Sequence, residues 1–193
     1  MRATTLLRQQ TAQLDQRLQD SIADVSDTEW RTRAAPNTNL IGFTYWHVVR
    51  NQDVIVQTLI RGEPELITRE TLAHMSGLSS GDNLGIGTGI SLAQADAIGL
   101  AITRDSMRSY SAAVFTMMCD WLETLTDDEL DHRPDCPANI AAIPAYQSAL
   151  WQQIAQAFAA KSIAEILGYY CIAHPYQHLA EIGLLTQLLR GES

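Results

Sequence analysis

The chain has 193 residues, of which 46% are hydrophobic and 18% charged, and 22 acidic against 13 basic residues give a formal net charge of −9. This length predicts a single domain over 1–193, because domains typically contain about 100–200 residues. Binding to nucleic acid or to an anionic membrane needs clustered Lys and Arg, so the acidic balance argues against both partners.

The cysteines and the apolar runs indicate the compartment. Cys119, Cys136 and Cys171 are widely spaced and form no C-x-x-C pair. That usage fits reduced thiols better than a disulfide scaffold or a thiolate zinc site. No apolar run reaches the ~18 residues of a membrane span, and the N-terminal segment turns polar too early for a signal peptide. We therefore expect a cytoplasmic protein.

Helical periodicity runs along the chain, and strand patterns are nearly absent. The apolar spacing predicts helices over 3–24, 39–61, 91–125, 148–160 and 162–189. Ser91 and Ser162 are the predicted N-caps of the third and last helices, and Gly62 is the predicted stop of the second. Glycines and prolines predict an irregular segment over 62–90 and a loop over 126–147.

Long helices without strands predict an all-α fold, and specifically a four-helix bundle. A helix of ~20 residues is about 30 Å long, and extended chain covers roughly 3.3 Å per residue. The 62–90 segment is therefore long enough for a crossover between parallel neighbours. We expect helices 2 and 3 to run parallel, which gives an up-down-down-up bundle with a long crossover between them.

Three histidines carry the strongest chemical signal. His174 and His178 are four residues apart in the last predicted helix, so both imidazoles can reach one metal ion. His47 lies on the apolar stripe of the second predicted helix. Three histidine ligands leave a position open for water or substrate, as catalytic metal sites do. Hydrogen-bonded core histidines are the alternative that spacing alone leaves open.

Two segments resemble the DinB-like superfamily, named after a DNA-damage-inducible protein. Residues 39–53, NLIGFTYWHVVRNQD, resemble its second-helix signature, and residues 174–182, HPYQHLAEI, resemble its C-terminal H-x-x-x-H element. The resemblance covers nearly the whole chain. It implies an up-down-down-up bundle in which His47, His174 and His178 bind a divalent metal, most often nickel or zinc. It also makes a homodimer plausible.

Three further residues bear on the site. Glu181 lies one turn after His178, where it either orients a ligand, acts as a general base, or forms an ordinary salt bridge or cap. Arg50 either pairs with Asp53 on the helix surface or turns inward to bind a substrate carboxylate. Pro175 cannot donate to the carbonyl of Cys171, so we expect a kink or restart of the helix there.

The expected function follows from the resemblance. Some proteins of this kind are thiol S-transferases or isomerases that use bacillithiol, mycothiol or glutathione, and many have no assigned reaction. We expect metal-dependent S-transfer or hydrolysis of a small-molecule substrate, with a low-molecular-weight thiol as a candidate cosubstrate. The alternative is a non-enzymatic, stress-associated binding or dimerisation module with a vestigial or structural metal site.

Overall fold

The structure is a computed structural model that describes residues 1–67 and 85–192, and over those residues it is all-α. The α-helices in chain order are α1 (Ala3–Ser21), α2 (Asp27–Arg31), α3 (Ile41–Asp53), α4 (Leu92–Ala101), α5 (Arg104–Thr124), α6 (Cys136–Ala141), α7 (Ala149–Ala159), α8 (Ile163–Ile166) and α9 (His174–Arg190). Two π-helices, Val54–Ile60 and Leu167–Ala173, continue α3 and join α8 to α9. Short 3₁₀ turns cover Asp128–Asp131 and Pro144–Tyr146.

Several predicted helix ends are confirmed by their capping groups. Ser91 and Ser162 each form a capping box, with Gln94 and Glu165 respectively, and so supply acceptors to the unpaired N–H groups of the first turn. Gly62 has φ +65° immediately after the π-helix that extends α3. This left-handed conformation suits glycine and ends the helix where the sequence predicts.

The single helix predicted over 91–125 is wrong. Ile102 is extended (ψ 144°) and separates α4 from α5, which begins after an N-cap at Thr103. The break leaves the Ile102 carbonyl without a helical donor. Trp30 in α2 supplies one, because its Nε1 donates to this carbonyl oxygen at 3.2 Å. The Thr103 hydroxyl caps α5 locally by accepting from the Ser106 N–H at 3.2 Å, whereas the Trp30 contact joins residues 72 positions apart and leaves no trace in helical periodicity.

The loop predicted over 126–147 is also wrong in part, because it contains α6 and both 3₁₀ turns. The Asp135 side chain accepts from the Ala138 N–H and thereby caps α6. Most of the irregular segment predicted over 62–90 lies outside the described residues, which omit 68–84.

Side-chain contacts give the relative directions of the long helices. Near its start α1 hydrogen-bonds Asp127 through Thr4, and near its end Gln19 accepts from Arg108, so α1 and α5 run in opposite directions. Gln52 of α3 contacts Cys171, whereas Thr44 lies 3.5 Å from Glu181, so α3 and α9 also run in opposite directions.

Two further contacts complete the arrangement. The Arg50 guanidinium lies 3.0 Å from the Tyr110 hydroxyl, and Arg61 lies over the Trp121 ring, so α3 and α5 run in the same direction. Arg17 over the Tyr176 ring and Arg190 on the Asp24 carbonyl place α1 and α9 in the same direction too. The apolar faces of these helices enclose a common core.

The core contains large aromatic side chains that are almost completely buried: Trp30, Tyr45, Trp46, Phe115, Tyr146 and Trp151. Burial of such side chains is the main favourable term for folding. Within residues 1–67 and 85–192 no helix has the length and apolar character that a membrane span needs.

Candidate metal centre

Two helices bring the three predicted histidines together. His47 extends from the middle of α3, and His174 and His178 lie on the first two turns of α9. One ligand nitrogen from each side chain lies within 4.8 Å of the other two. The ring centroids of His47 and His178 are 4.9 Å apart, and those of His174 and His178 are 4.7 Å apart. The cluster thus joins residues that are more than 120 positions apart in the chain.

Glu181 fixes the orientation of His178. The Nδ1 atom of His178 lies 2.8 Å from Glu181 Oε2, and a carboxylate only accepts, so Nδ1 carries the proton. In a neutral imidazole this leaves the lone pair on Nε2. The hydrogen bond from His178 lowers the pKa of Glu181, which keeps the carboxylate ionised at neutral pH.

His47 is held in the same way by the backbone. Its Nδ1 contacts the carbonyl oxygen of Ile86, which again assigns the proton to Nδ1 and the lone pair to Nε2. The Asn51 amide lies 3.0 Å from His47 Nε2 and also donates to the His47 carbonyl at 2.9 Å. A metal ion bound at Nε2 would replace the first of these hydrogen bonds, and the second would still hold the amide.

Burial keeps the imidazoles of His47 and His174 neutral. It lowers the pKa of His47 to about 4, helped by the neighbouring His178 and His174. Burial and, secondarily, His178 lower the pKa of His174 as well. A metal ligand must be the neutral imidazole, so at pH 7 neither His47 nor His174 has to lose an extra proton before an ion binds.

The distance between two of the nitrogens fits a shared ion. His174 Nε2 and His178 Nε2 are 3.2 Å apart. Two nitrogens that each lie about 2.0–2.1 Å from one tetrahedral zinc ion are roughly 3.3–3.4 Å apart. The donor set of neutral imidazoles suits zinc, nickel and similar divalent ions rather than magnesium or calcium, which prefer oxygen. The three residues therefore fit a divalent transition metal.

Comparison with known proteins establishes the family. The sequence profile of the DinB superfamily matches residues 8–182. The chain belongs to the DinB superfamily. A solved structure of a conserved protein from Enterococcus faecalis superposes with a TM-score of 0.74 at 14% identity, covering 100% of this chain and 99% of the other. At that identity the likeness shows the fold alone. Among curated proteins, none matches the chain.

Within this DinB protein Arg50 turns inward and is fully buried, so the pair predicted on the helix surface is instead inside the fold. It lies 3.2 Å from Asp53 and 2.8 Å from Glu65. Its Nε donates to the Gly85 carbonyl at 3.1 Å, and Nη1 contacts the Tyr110 hydroxyl at 3.0 Å. Inward orientation is what substrate binding requires, but these contacts already engage each nitrogen of the guanidinium with a protein group.

Sequence reasoning missed two groups of this DinB site. The Ile86 carbonyl and the Asn51 amide both contact His47, yet neither was a candidate. The position of Asn51, four residues after His47 on one helix, was a usable signal. The Ile86 carbonyl had none, because its contact depends on the path of an irregular segment.

One cavity among the described residues lies away from the histidines. It has a volume of about 480 Å³ and is lined by residues that include Thr58, Gly62, Asn139 and Ile143, at the far end of α3 and its π-helix. A substrate pocket beside the three histidines stays a prediction in this DinB protein.

Proposed function

We propose that this protein binds a divalent metal ion, nickel or zinc, through His47, His174 and His178. The observation that carries the proposal is the convergence of three ligand nitrogens within 4.8 Å of one another. The tautomers of His47 and His178 support it, because Ile86 and Glu181 each engage Nδ1 and leave Nε2 for an ion. Such outer hydrogen bonds to ligating histidines are the rule in protein metal sites.

The proposal includes the arrangement of the helices around the site. The contact directions support an up-down-down-up bundle of α1, α3, α5 and α9, with the crossover between α3 and α5. In this arrangement His47 and the His174–His178 pair face each other from adjacent antiparallel helices.

We further propose that the site carries out thiol S-transfer or hydrolysis on a small molecule. A bound divalent ion supplies a Lewis acid that favours deprotonation of a thiol or of water at neutral pH. The protein contributes ligand orientation through Glu181 and Ile86. The ionised Glu181 carboxylate also lies beside the site and is a candidate proton acceptor. Its Oε2 contacts His178, and its Oε1 lies 3.5 Å from Thr44 Oγ1. A homodimer remains part of the proposal.

Metal analysis of the protein purified without a polyhistidine tag tests the metal site. We expect about one divalent ion per chain, and a loss of at least tenfold in metal affinity in His178→Ala, because the remaining two ligands hold an ion less tightly. His132→Ala is the matched control, since His132 is exposed and outside the cluster. Absence of bound metal, together with equal affinity of His178→Ala and the wild type, would contradict the proposal.

A thermal-shift panel of metals, thiols and small electrophiles separates an enzyme from a binding module. A ligand present at about 100 times its Kd stabilises a protein by roughly 2.7 kcal/mol. Stabilisation by a low-molecular-weight thiol only in the metal-loaded protein, and not in His178→Ala, supports S-transfer. Metal stabilisation without any response to thiols or electrophiles favours a non-enzymatic module with a structural metal.

A further inference from the structure

Pro175 leaves a backbone carbonyl between α8 and α9 without its helical donor. Proline has no N–H, so the Cys171 carbonyl, four residues earlier, cannot receive an α-helical hydrogen bond. The segment Leu167–Ala173 is a π-helix, and the His174 N–H donates to the Tyr169 carbonyl, five residues back. The change from π to α register therefore falls at His174 itself, and Pro175 is within the first turn of α9.

Gln52 of α3 supplies the missing donor. Its Nε2 atom lies 3.0 Å from the Cys171 carbonyl oxygen, and both residues are buried, Gln52 to 0% exposure. The amide cannot be turned over, because Oε1 would then face the carbonyl oxygen. Oε1 itself has no hydrogen-bond partner among the described residues. Burying this unpaired oxygen is unfavourable, and an apolar side chain at this position would avoid the cost. The favourable contribution of Gln52 is therefore its hydrogen bond to the Cys171 carbonyl.

The contact joins the two helices that carry the histidines. Gln52 lies five residues after His47 on α3, and Cys171 lies three residues before His174. One side-chain hydrogen bond thus connects the backbone immediately before His174 to the helix that holds His47. The π-helix before α9 is bonded five residues back instead of four, and Pro175 adds no N–H, so Gln52 gives the Cys171 carbonyl a donor from outside its own segment.

We propose that Gln52 is a positioning residue that sets His174 relative to His47 by holding the Cys171 carbonyl, and that it compensates for Pro175. The proposal rests on the proposed metal function for its effect on affinity. Its structural part, the placement of His174, stands without a metal ion.

A double-mutant cycle tests the role. Gln52→Met keeps the length of the side chain and removes the donor, and Pro175→Ala returns an N–H to the Cys171 carbonyl. We expect Gln52→Met to weaken zinc or nickel binding about tenfold, the lower end of the range for residues that orient ligands. The double variant is expected to recover to within about threefold of wild type, and Pro175→Ala alone to bind like wild type. Competition with a chromogenic chelator gives the dissociation constants.

Asn139→Leu is the matched control. The Asn139 amide also holds backbone carbonyls, those of Leu59 and Ile60, but at the far end of the π-helix that follows α3. Leu59 is 12 residues from His47, or roughly 18 Å along a helix. We expect Asn139→Leu to lower the melting temperature without changing metal affinity. An equal loss of affinity in Asn139→Leu would show that general destabilisation is responsible and overturn the proposal.

A metal-free measurement separates this inference from the proposed function. In ¹H–¹⁵N spectra of the histidine side chains, Gln52→Met should move the His174 resonances, Pro175→Ala should restore them, and Asn139→Leu should leave them in place. If the protein binds no metal but its spectra change in this way, the absence of metal binding contradicts the proposed function, and the changed His174 resonances support the positioning role of Gln52. If Gln52→Met leaves both the His174 resonances and the metal affinity unchanged, the positioning role of Gln52 is overturned. If Gln52→Met does not fold, the double variant must, because it regains the donor; its failure to fold would also overturn the proposal.

Discussion

At the scale of single residues, Arg50 shows how a charge can be buried without a ligand. Its guanidinium contacts the carboxylates of Asp53 and Glu65, and the Tyr110 hydroxyl donates to Asp53 at 2.5 Å. Asp53 in turn accepts from the Leu66 N–H at 3.0 Å. The network therefore fixes the chain just after α3, and Arg50 also holds the Gly85 carbonyl. Its contacts favour a structural role.

Removal of this guanidinium should be strongly destabilising. In Arg50→Met the Asp53 carboxylate would stay buried without its cation, and breaking a buried pair from one side costs about 3–5 kcal/mol. Arg8→Met is the matched control, because the Arg8–Glu123 pair is exposed (side chains 50% and 61% exposed), and such pairs contribute about 0–1 kcal/mol. Urea unfolding of the two variants measures the difference. Equal stabilities would show that the buried network contributes nothing beyond a surface pair.

At the scale of elements, periodicity predicted the long helices but not their interruptions. The face of α3 that carries His47 and the His174–His178 spacing follow from local rules, which is why the candidate ligands could be named from the sequence. The Thr103 cap is a local signal for the break at Ile102 that the long apolar pattern obscured, whereas the Trp30 contact at the break and the burial of Arg50 involve partners from other elements. Local patterns carry no information about such partners, so these features appear only once the helices are packed.

Close packing between short and long helices gives a prediction for α3. A Cβ atom at Gly42 would lie 2.7 Å from Trp30 Nε1 and 3.0 Å from the Gly99 carbonyl oxygen, so α2 and α4 both approach the α3 backbone there. Gly42→Ala should destabilise the fold by about 1–3 kcal/mol, as overpacking does. Gly183→Ala on the exposed side of α9 meets nothing within 4 Å and should stabilise by roughly 0.5–1 kcal/mol. Thermal unfolding of both variants gives the sign of each change, and a stabilised Gly42→Ala would contradict this packing.

At the scale of the whole molecule, the placement of the arginines sharpens what the net charge of −9 implies. Several arginines are paired with carboxylates across the packed helices. These pairs are Arg8 with Glu123, Arg33 with Asp96, Arg104 with Asp27, and Arg190 with Glu29. Cations that are already paired attract phosphate weakly. We therefore do not expect this chain to bind DNA, although the superfamily is named after a DNA-damage-inducible protein.

We accordingly predict that the protein does not bind duplex DNA, even at low salt. Affinity for duplex DNA comes largely from the release of counterions when Lys and Arg neutralise phosphates, and it is strongest when salt is low. Fluorescence anisotropy of a labelled duplex in about 50 mM salt should stay flat up to micromolar protein, in the metal-free and the metal-loaded forms alike. The metal-loaded form is included because each bound divalent ion adds two positive charges at the histidines. Saturable binding that weakens steeply as salt is raised would contradict the prediction. It would indicate that the protein has a basic surface despite the ion pairs among its described arginines.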